Sequence, residues 1–351
     1  MSYEYILMNI ALWFGLYLIV ALSLNVEYGY AGIPNFGRAL AVLVGAFAVG
    51  GIVNRVLIML LNVNGDIVKA SGEVKSLANT MIAHNPAYGI TLLIISIIIA
   101  AIIGAIIGAL FILPSAKLSE DYLAITLLAI SEVAFMVCNY ETKLVGGYYG
   151  VSVPDILAFV PGEKRMLAFV IIIFATAFLV FLVLNKMLAT PFGRLLKAMR
   201  ENEELVKAYG KDVMRTRIKV VALGSAIAAI AGVLFSFYSV NVIARSFNRV
   251  EWTFYPFLMV LLGGIGNNIG VTLGVLSFVV VKVLLITYKY EIKSLLHLPF
   301  ESTWLEYILF GIIMILILLY KPEGLIKEKP IFTKPITEKI GKLDKEKNQK
   351  E

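Results

Sequence analysis

The chain has 351 residues, of which 60% are hydrophobic and only 16% charged, and its mean hydropathy is +0.86. A soluble domain of this length carries more charge, so the composition excludes an ordinary soluble protein. Apolar runs of about twenty residues recur without strand-like alternation, which predicts an all-α polytopic membrane protein. The formal net charge is +7, and the single cysteine, Cys138, excludes a disulfide within the chain.

Nine apolar segments indicate about 8–10 transmembrane helices. In chain order they span about 6–25, 36–61, 86–113, 122–139, 166–188, 218–242, 253–263, 270–288 and 304–320. The segment at 253–263 is short for a crossing, so we expect it to continue into unwound backbone. We therefore predict discontinuous, glycine-rich helices within a membrane domain that covers 1–326.

Two polar segments carry an excess of positive charge. The segment 190–217 holds seven basic and four acidic residues, and the stretch from Lys321 to the end holds nine lysines and six acidic residues. The loops 62–85 and 140–165 each balance to zero. Since basic segments remain on the cytoplasmic side, both positive segments are predicted to be cytoplasmic. The lysine-rich tail, 327–351, is expected to be disordered and to contact anionic lipid.

The segment 191–210 is typical of a short amphipathic helix outside the bilayer. Thr190 is a suitable cap, Pro191 fits the first turn, and Gly210 is a natural stop. Apolar side chains recur at helical spacing at Leu195, Leu196, Met199, Leu205, Val206 and Tyr209. Such a helix is suited to dock onto a partner protein, and the alternative is that it lies on lipid headgroups.

Two glycine-rich stretches interrupt the apolar pattern, at 29–37 (GYAGIPNFG) and at 263–270 (GGIGNNIG). Discontinuous helices at corresponding positions of two halves indicate a transport pathway. The alternative is that they are tight turns or small residues for close helix packing. Together with a third glycine-rich stretch, the candidate pathway residues are Gly29, Gly32, Asn35, Gly37, Gly146, Gly147, Gly263, Gly264, Gly266 and Gly270.

Glu132 lies inside an apolar segment, where a carboxylate is costly. It is either a paired structural group or part of a polar pathway. We expect a structural role, because the sequence shows no evident intramembrane partner for it. An ion-coupled transporter normally needs intramembrane acids, and Glu132 is the one plausible candidate.

The sequence carries no sign of catalysis. The pattern GxxxxGK[ST] is absent, so we expect no nucleotide site of the P-loop type. The two histidines, His84 and His297, lie far apart and, with one cysteine, do not predict a metal site. We therefore expect a non-enzymatic chain without a metal, a cofactor or a nucleic-acid partner of its own.

Several short motifs follow one another from about residue 18 to residue 326. They are 22–25 (LSLN) with 29–32 (GYAG), 121–129 (DYLAITLLA), 146–151 (GGYYGV), 191–194 (PFGR), 260–266 (VLLGGIG) and 321–325 (KPEGL). In kind and order they resemble the motifs of LivM-type branched-chain amino acid permeases of ABC importers. Residues 204–210 also match the E-A-A-x-x-x-G spacing of the EAA loop, with Leu205 and Val206 in place of the alanines. Arg38 stands where the family often has histidine, which implies a charge near the pathway or its cytoplasmic mouth and leaves substrate choice open.

The resemblance implies a cell-membrane permease subunit of an ATP-driven importer for amino acids, with branched-chain ones as the expected substrates. Two cytoplasmic ABC ATPases would use ATP and Mg²⁺, and an external binding protein would deliver the amino acid. A second permease, of the LivH type or a second copy, would complete the pathway. The helix at 191–210 would be the coupling helix, with contact residues Gly193, Arg194, Arg200, Glu201, Glu204 and Gly210.

Three alternatives remain open at this point. The first is a permease of the same family for urea, a short amide or a polar amino acid. The other two alternatives are an ion-coupled secondary transporter or channel and a membrane scaffold without transport activity.

Overall fold

The computed structural model describes residues 3–114, 118–296, 302–320 and 323–328. The tail expected to be disordered lies outside the described residues beyond Glu328, as do His297 and residues 321–322 of the closing motif. The α-helices are α1 (Tyr3–Leu24), α2 (Arg38–Phe47), α3 (Asn54–Leu60), α4 (Ile67–His84), α5 (Pro86–Ile112), α6 (Glu120–Tyr140), α7 (Thr142–Val145), α8 (Gly162–Leu188), α9 (Pro191–Glu201), α10 (Glu203–Ala208), α11 (Val213–Ser239), α12 (Tyr255–Gly263), α13 (Asn268–Leu296) and α14 (Ser302–Tyr320).

The predicted all-α polytopic membrane fold is confirmed. Seven helical stretches within the described residues are long and apolar enough to cross a membrane, and the apolar part of α14 is a shorter addition. All nine predicted apolar segments coincide with helices. In the described ranges, the strands are the two-residue β1 (Val151–Ser152) and β2 (Asn241–Val242), which pair antiparallel. The chain is thus a multi-pass helical membrane protein.

Helix α11 lies at the centre of the bundle and packs against α1, α2 and α5. Gly232 of α11 lies against the carbonyl oxygen of Val42, and Gly45 of α2 lies against that of Ala229. A Cβ at either glycine would overlap backbone atoms of the neighbouring helix. Because lipid provides no hydrophobic drive for association, helices in membranes gain stability from such close approach.

Several helices continue into irregular backbone. After α1 the chain forms a π-helical turn, Asn25–Tyr30, and π-helical geometry, Ala48–Val53, also separates α2 from α3. A 3₁₀ turn, Ala244–Phe247, and a π-helical turn, Val250–Phe254, precede α12. The short apolar segment at 253–263 therefore continues into irregular backbone, as expected.

The segment 62–85 differs from the expected loop because most of it forms α4. The Asp66 side chain accepts a hydrogen bond of 2.9 Å from the backbone N–H of Ile67, which caps the helix start. One face of α4 is buried through Ile67, Ala70, Ser71, Val74, Ala78 and Ile82. Most of the remaining positions are polar or small, with Leu77 and Met81 as exposed exceptions, so the average hydropathy of this segment is low although its spacing is helical.

Candidate functional site

The amphipathic segment forms two helices, α9 and α10, rather than the single helix expected over 191–210. Asn202 separates them with extended backbone (φ −160°, ψ 101°). Its side-chain oxygen accepts a 2.9 Å hydrogen bond from the N–H of Leu205 and so caps α10. Thr190 and Pro191 begin α9 as predicted, and Gly210 follows α10 with a left-handed φ of +73°. The cap at Asn202 offers the backbone a better alternative than one continuous helix.

The two short helices differ in what they expose. Helix α9 buries Gly193, Leu196 and Met199 against the rest of the protein. Helix α10 buries Val206 but leaves Leu205 55% exposed, and Tyr209, which directly follows the helix, is 78% exposed. We name the outward side of this segment the α10 surface and define it by Glu204, Leu205, Lys207 and Tyr209. Two exposed apolar side chains beside an exposed carboxylate and ammonium suit contact with another protein.

The structure divides the six predicted coupling residues into two groups. Arg194, Glu201, Glu204 and Gly210 are exposed at the outer side. Gly193 and Arg200 are not at that surface. Gly193 is buried against the backbone of Leu188, where a Cβ would overlap the carbonyl oxygen. These two residues hold the segment to the membrane domain instead, because both face inward from α9.

Arg200 connects α9 to the first glycine break. Its guanidinium donates a hydrogen bond to the carbonyl oxygen of Gly29. It also donates hydrogen bonds to the carboxylates of Glu328, at 2.7 Å, and of Glu201, at 2.9 Å. Its stem lies against Gly32, whose φ is +71°. Burial lowers the pKa of Arg200, but the hydrogen bonds to Glu328 and Glu201 outweigh it and raise the pKa overall. Arg200 is therefore a fixed cation that joins the first break to the segment 323–328.

The second glycine break lies at the same place. Gly266 is close to the guanidinium of Arg200 and to Glu328. The N–H of Leu325 donates at 2.8 Å to the carbonyl of Leu262, and that of Ile326 at 3.1 Å to the carbonyl of Gly263. The segment 323–328 therefore binds along the end of α12.

Asparagine side chains join the two breaks directly. The amide of Asn25 donates at 2.8 Å to Asn268, and its oxygen accepts at 3.0 Å from the N–H of Gly266. Asn268 in turn donates at 2.7 Å to Asn185 near the end of α8. We name this region the glycine junction and define it by Gly29, Gly32, Gly264 and Gly266 with Arg200. The glycines are needed there because backbone meets backbone: a Cβ at Gly264 would overlap the carbonyl oxygen of Ile326.

The remaining predicted pathway residues lie elsewhere. Gly263 and Gly270 pack against each other where α12 and α13 meet. Gly146 and Gly147 adopt φ of +74° and +55° in a turn at the opposite end of the bundle, near the β1–β2 pair. The structure thus joins two of the three predicted stretches and separates the third.

Asn35 and Gly37 belong to a buried ion pair that the sequence analysis missed. Glu27 and Arg38 pair with each other and both side chains are fully buried. Asn35 donates at 2.8 Å to Glu27 and accepts at 3.0 Å from the N–H of Gly37. We expected Arg38 at the pathway or its mouth, but it is sealed beneath the first break. The carboxylate of Glu27 immediately after the apolar run of α1 was the available signal.

A second buried charge cluster surrounds Lys282 of α13. The sequence analysis also missed this cluster. The ammonium of Lys282 donates at 2.9 Å to the hydroxyl of Tyr17 and lies 3.6 Å from Glu251 and 3.9 Å from Glu306. The hydroxyl of Tyr255 donates at 2.9 Å to Glu306. The cluster joins α1, α12, α13 and α14, so Glu132 is not the sole intramembrane acid.

Glu132 has a basic neighbour, contrary to our expectation that it lacked one. A guanidinium nitrogen of Arg249 lies 3.6 Å from its carboxylate, and the two side chains are 32% and 49% exposed. Both line a cavity of about 300 Å³ between α2, α6, α14 and residues 247–250. An apolar cavity of about 580 Å³ between α2, α5 and α6 is its neighbour. In the described part of the chain, no group of histidine, cysteine and acidic side chains is suited to a metal ion.

Comparison with known proteins agrees with this architecture. The model of a family described as the permease component of branched-chain amino acid transport systems matches residues 6–318. The chain is 61% identical over 334 residues to the probable branched-chain amino acid transport permease protein LivM of Methanocaldococcus jannaschii, covering 95% of this chain and 97% of that protein.

More distant relatives match over shorter stretches. The chain is 25% identical over 240 residues to the high-affinity LivM permease of Escherichia coli, covering 61% of this chain and 52% of that protein. A stretch of 134 residues is 28% identical to the L-arabinose transport permease AraH of E. coli, covering 38% of each chain. No solved structure matches the chain. Because the family model and the M. jannaschii relative each span nearly the whole membrane domain, the chain belongs to the family of permease components of branched-chain amino acid transport systems.

Proposed function

We propose that this chain is the membrane subunit of an ATP-driven importer for branched-chain amino acids, and that the α10 surface is where a cytoplasmic ATPase docks. The substrate class rests on the relative that is 61% identical and described as a branched-chain amino acid permease. The docking site rests on the exposure of Glu204, Leu205 and Tyr209 on a segment that is held firmly from behind. In this proposal the chain has a transport role, and the partner ATPases hold ATP and Mg²⁺ and carry out the hydrolysis.

The physical basis of coupling is the chain of rigid contacts behind α10. A displacement of α10 passes to α9, since only Asn202 separates them. Helix α9 is connected to α8 through Ala189 and Thr190 and to the glycine junction through Arg200. Movement of the ATPases is therefore transmitted to α1, α8, α12 and α13 together.

The glycine stretches have different places in this mechanism. The glycine junction is the hinge at the cytoplasmic end of the pathway, and Gly263 and Gly270 extend its packing along α12 and α13. Asn35 and Gly37 line a narrow cleft between α2, α5, α6 and α11. Gly146 and Gly147 form a turn at the external end, where a binding protein docks. Orientation follows from the positive charge of 190–217 and of the tail, which both lie in the cytoplasm.

A complete importer needs further subunits. Two ABC ATPases contact the cytoplasmic side, one through this chain and one through a second permease of the LivH type or a second copy. The two permeases enclose the pathway between them, and lipid surrounds the pair.

The test is affinity purification of the tagged chain in mild detergent, with mass spectrometry of the proteins recovered. We expect two ATPases and a second permease. The Tyr209→Ala variant should be recovered without the ATPases but still together with the second permease. Tyr149→Ala is the matched control, because Tyr149 is equally exposed, at 78%, at the opposite end of the bundle. Recovery of ATPases with Tyr209→Ala at the wild-type level places the docking site elsewhere, and recovery of the chain alone contradicts the importer.

A further inference from the structure

The cavity that contains Glu132 and Arg249 combines an acid, a base and an apolar wall. Its polar groups include Ser131 and Asn248, and Leu40, Leu43 and Phe135 contribute apolar surface. Its volume of about 300 Å³ is at the lower end of the range for small-molecule pockets, about 300–1,000 Å³. That space suits one small molecule with an apolar part.

Glu132 and Arg249 are less tightly paired than the buried ion pair of Glu27 and Arg38. Their separation of 3.6 Å exceeds hydrogen-bond length. Among the described residues, neither side chain makes a hydrogen bond, and both are partly exposed to the cavity. Glu27 and Arg38, by contrast, are fully buried, and Glu27 accepts an additional hydrogen bond from Asn35.

An amino acid presents complementary chemistry. Its α-ammonium is a donor for a carboxylate, and its α-carboxylate is the group that a guanidinium binds through two parallel hydrogen bonds. A branched aliphatic side chain gains free energy by leaving water for an apolar wall. We propose that Glu132 and Arg249 bind the ammonium and carboxylate of the transported amino acid, with its side chain against Leu40, Leu43 and Phe135. This inference rests on the proposed import of branched-chain amino acids.

The location of the cavity connects it to the coupling elements. Arg249 immediately precedes the helical turn Val250–Phe254, which runs directly into α12 and ends at the glycine junction. In that turn, the hydroxyl of Thr253 accepts a 2.9 Å hydrogen bond from the N–H of Ala39 at the start of α2. Arg249 and the α2 wall of the cavity are therefore connected to elements that reach α9.

The first experiment measures ATP-driven leucine uptake into proteoliposomes that hold the complete transporter and its binding protein. Glu132→Gln and Arg249→Gln should each lower uptake at least about tenfold, because a hydrogen bond to a charged group is lost. The double variant should lose more than either single variant. If the two charges only stabilise each other, the double variant should instead recover towards wild type, because no unpaired charge remains. Glu73→Gln on the exposed side of α4 and Arg245→Gln on the preceding turn are matched controls.

The second experiment detects occupancy directly and does not depend on uptake. Phe135→Cys, in a Cys138→Ala background, places a thiol on the cavity wall. Leucine should slow its reaction with a small thiol reagent, whereas 4-methylpentanoate and isoamylamine, which each lack one charge, should not. Adding Glu132→Gln should abolish the protection, and the reaction rate without leucine reports that the variant is folded. A Glu73→Cys thiol should react at one rate in all conditions.

The outcomes separate this inference from the proposed function. Wild-type transporter that fails to import leucine refutes the proposed function. Wild-type import together with wild-type rates for Glu132→Gln and Arg249→Gln, or with no leucine protection in a Phe135→Cys variant that still imports leucine, refutes only the binding site.

Discussion

Removal of one member of the buried Glu27–Arg38 pair should destabilise the protein strongly. In Glu27→Gln, Arg38 keeps a full charge at a site that is 0% exposed, and its Nε and Nη1 have no hydrogen-bond partner among the described residues. Breaking such a pair costs about 3–5 kcal/mol, because the remaining charge is buried without compensation. At about 2 °C per kcal/mol for a chain of this size, the unfolding midpoint should fall by about 6–10 °C.

The assay is thermal unfolding of the purified protein in one detergent, followed by size-exclusion chromatography after heating. The double variant Glu27→Leu with Arg38→Met should recover most of the loss, because it removes both charges and keeps the volume apolar. Lys207→Gln is the control, since its pair with Glu204 is exposed and contributes little. A midpoint of Glu27→Gln equal to wild type would falsify the argument that this pair is desolvated and mutually dependent.

Three further predictions concern coupling and packing. Glu204→Lys should reduce ATP-driven uptake at equal expression, whereas the control Glu73→Lys should not. Unchanged uptake by Glu204→Lys would mean that Glu204 is not part of the docking site. Gly264→Ala should lower both uptake and the unfolding midpoint, because the φ of +115° is strained for alanine and the Cβ overlaps Ile326. Gly72→Ala, in an open part of α4, should leave both unchanged, and equal behaviour of the two variants contradicts the junction packing. Lys282→Met should destabilise the protein, because it leaves Glu251 and Glu306 without their cation. The double variant Lys282→Met with Glu306→Gln should recover part of the lost stability. Equal stability of the single and double variants argues against a shared cluster.

The glycine stretches show what the sequence pattern predicts and what it leaves open. The matched stretches at 29–37 and 263–270 predicted two breaks, and both occur. The sequence left open whether they line a pathway or pack closely, since glycine serves both purposes. Their meeting through Asn25, Asn268 and Gly266 depends on atoms more than two hundred residues apart in the chain. No local spacing reports such a contact.

Charged residues show where sequence reasoning was less successful. Glu132 was visible because it interrupts an apolar segment, but its neighbour Arg249 comes from a separate turn. Lys282 lies in a long apolar helix and was overlooked, although an intramembrane lysine requires partners. Arg200 was assigned to the outer surface with the other basic residues of its segment. Helical spacing shows that Arg200 lies one turn from Leu196, but not which neighbour that side of the helix meets.

The sequence by itself determined the class of this protein and the order of its parts. Apolar runs of membrane-spanning length require helices, because backbone hydrogen bonds in lipid have to be satisfied within each segment. The polar composition of 190–217 and its capping residues likewise marked a helical segment between two long apolar helices. Only the tertiary structure decided which polar groups are partners. Those pairings follow from the close approach of α1, α2, α11 and α13 at small residues, and the free energy of a charge in the membrane depends on neighbours that the folded chain alone brings within a few ångströms.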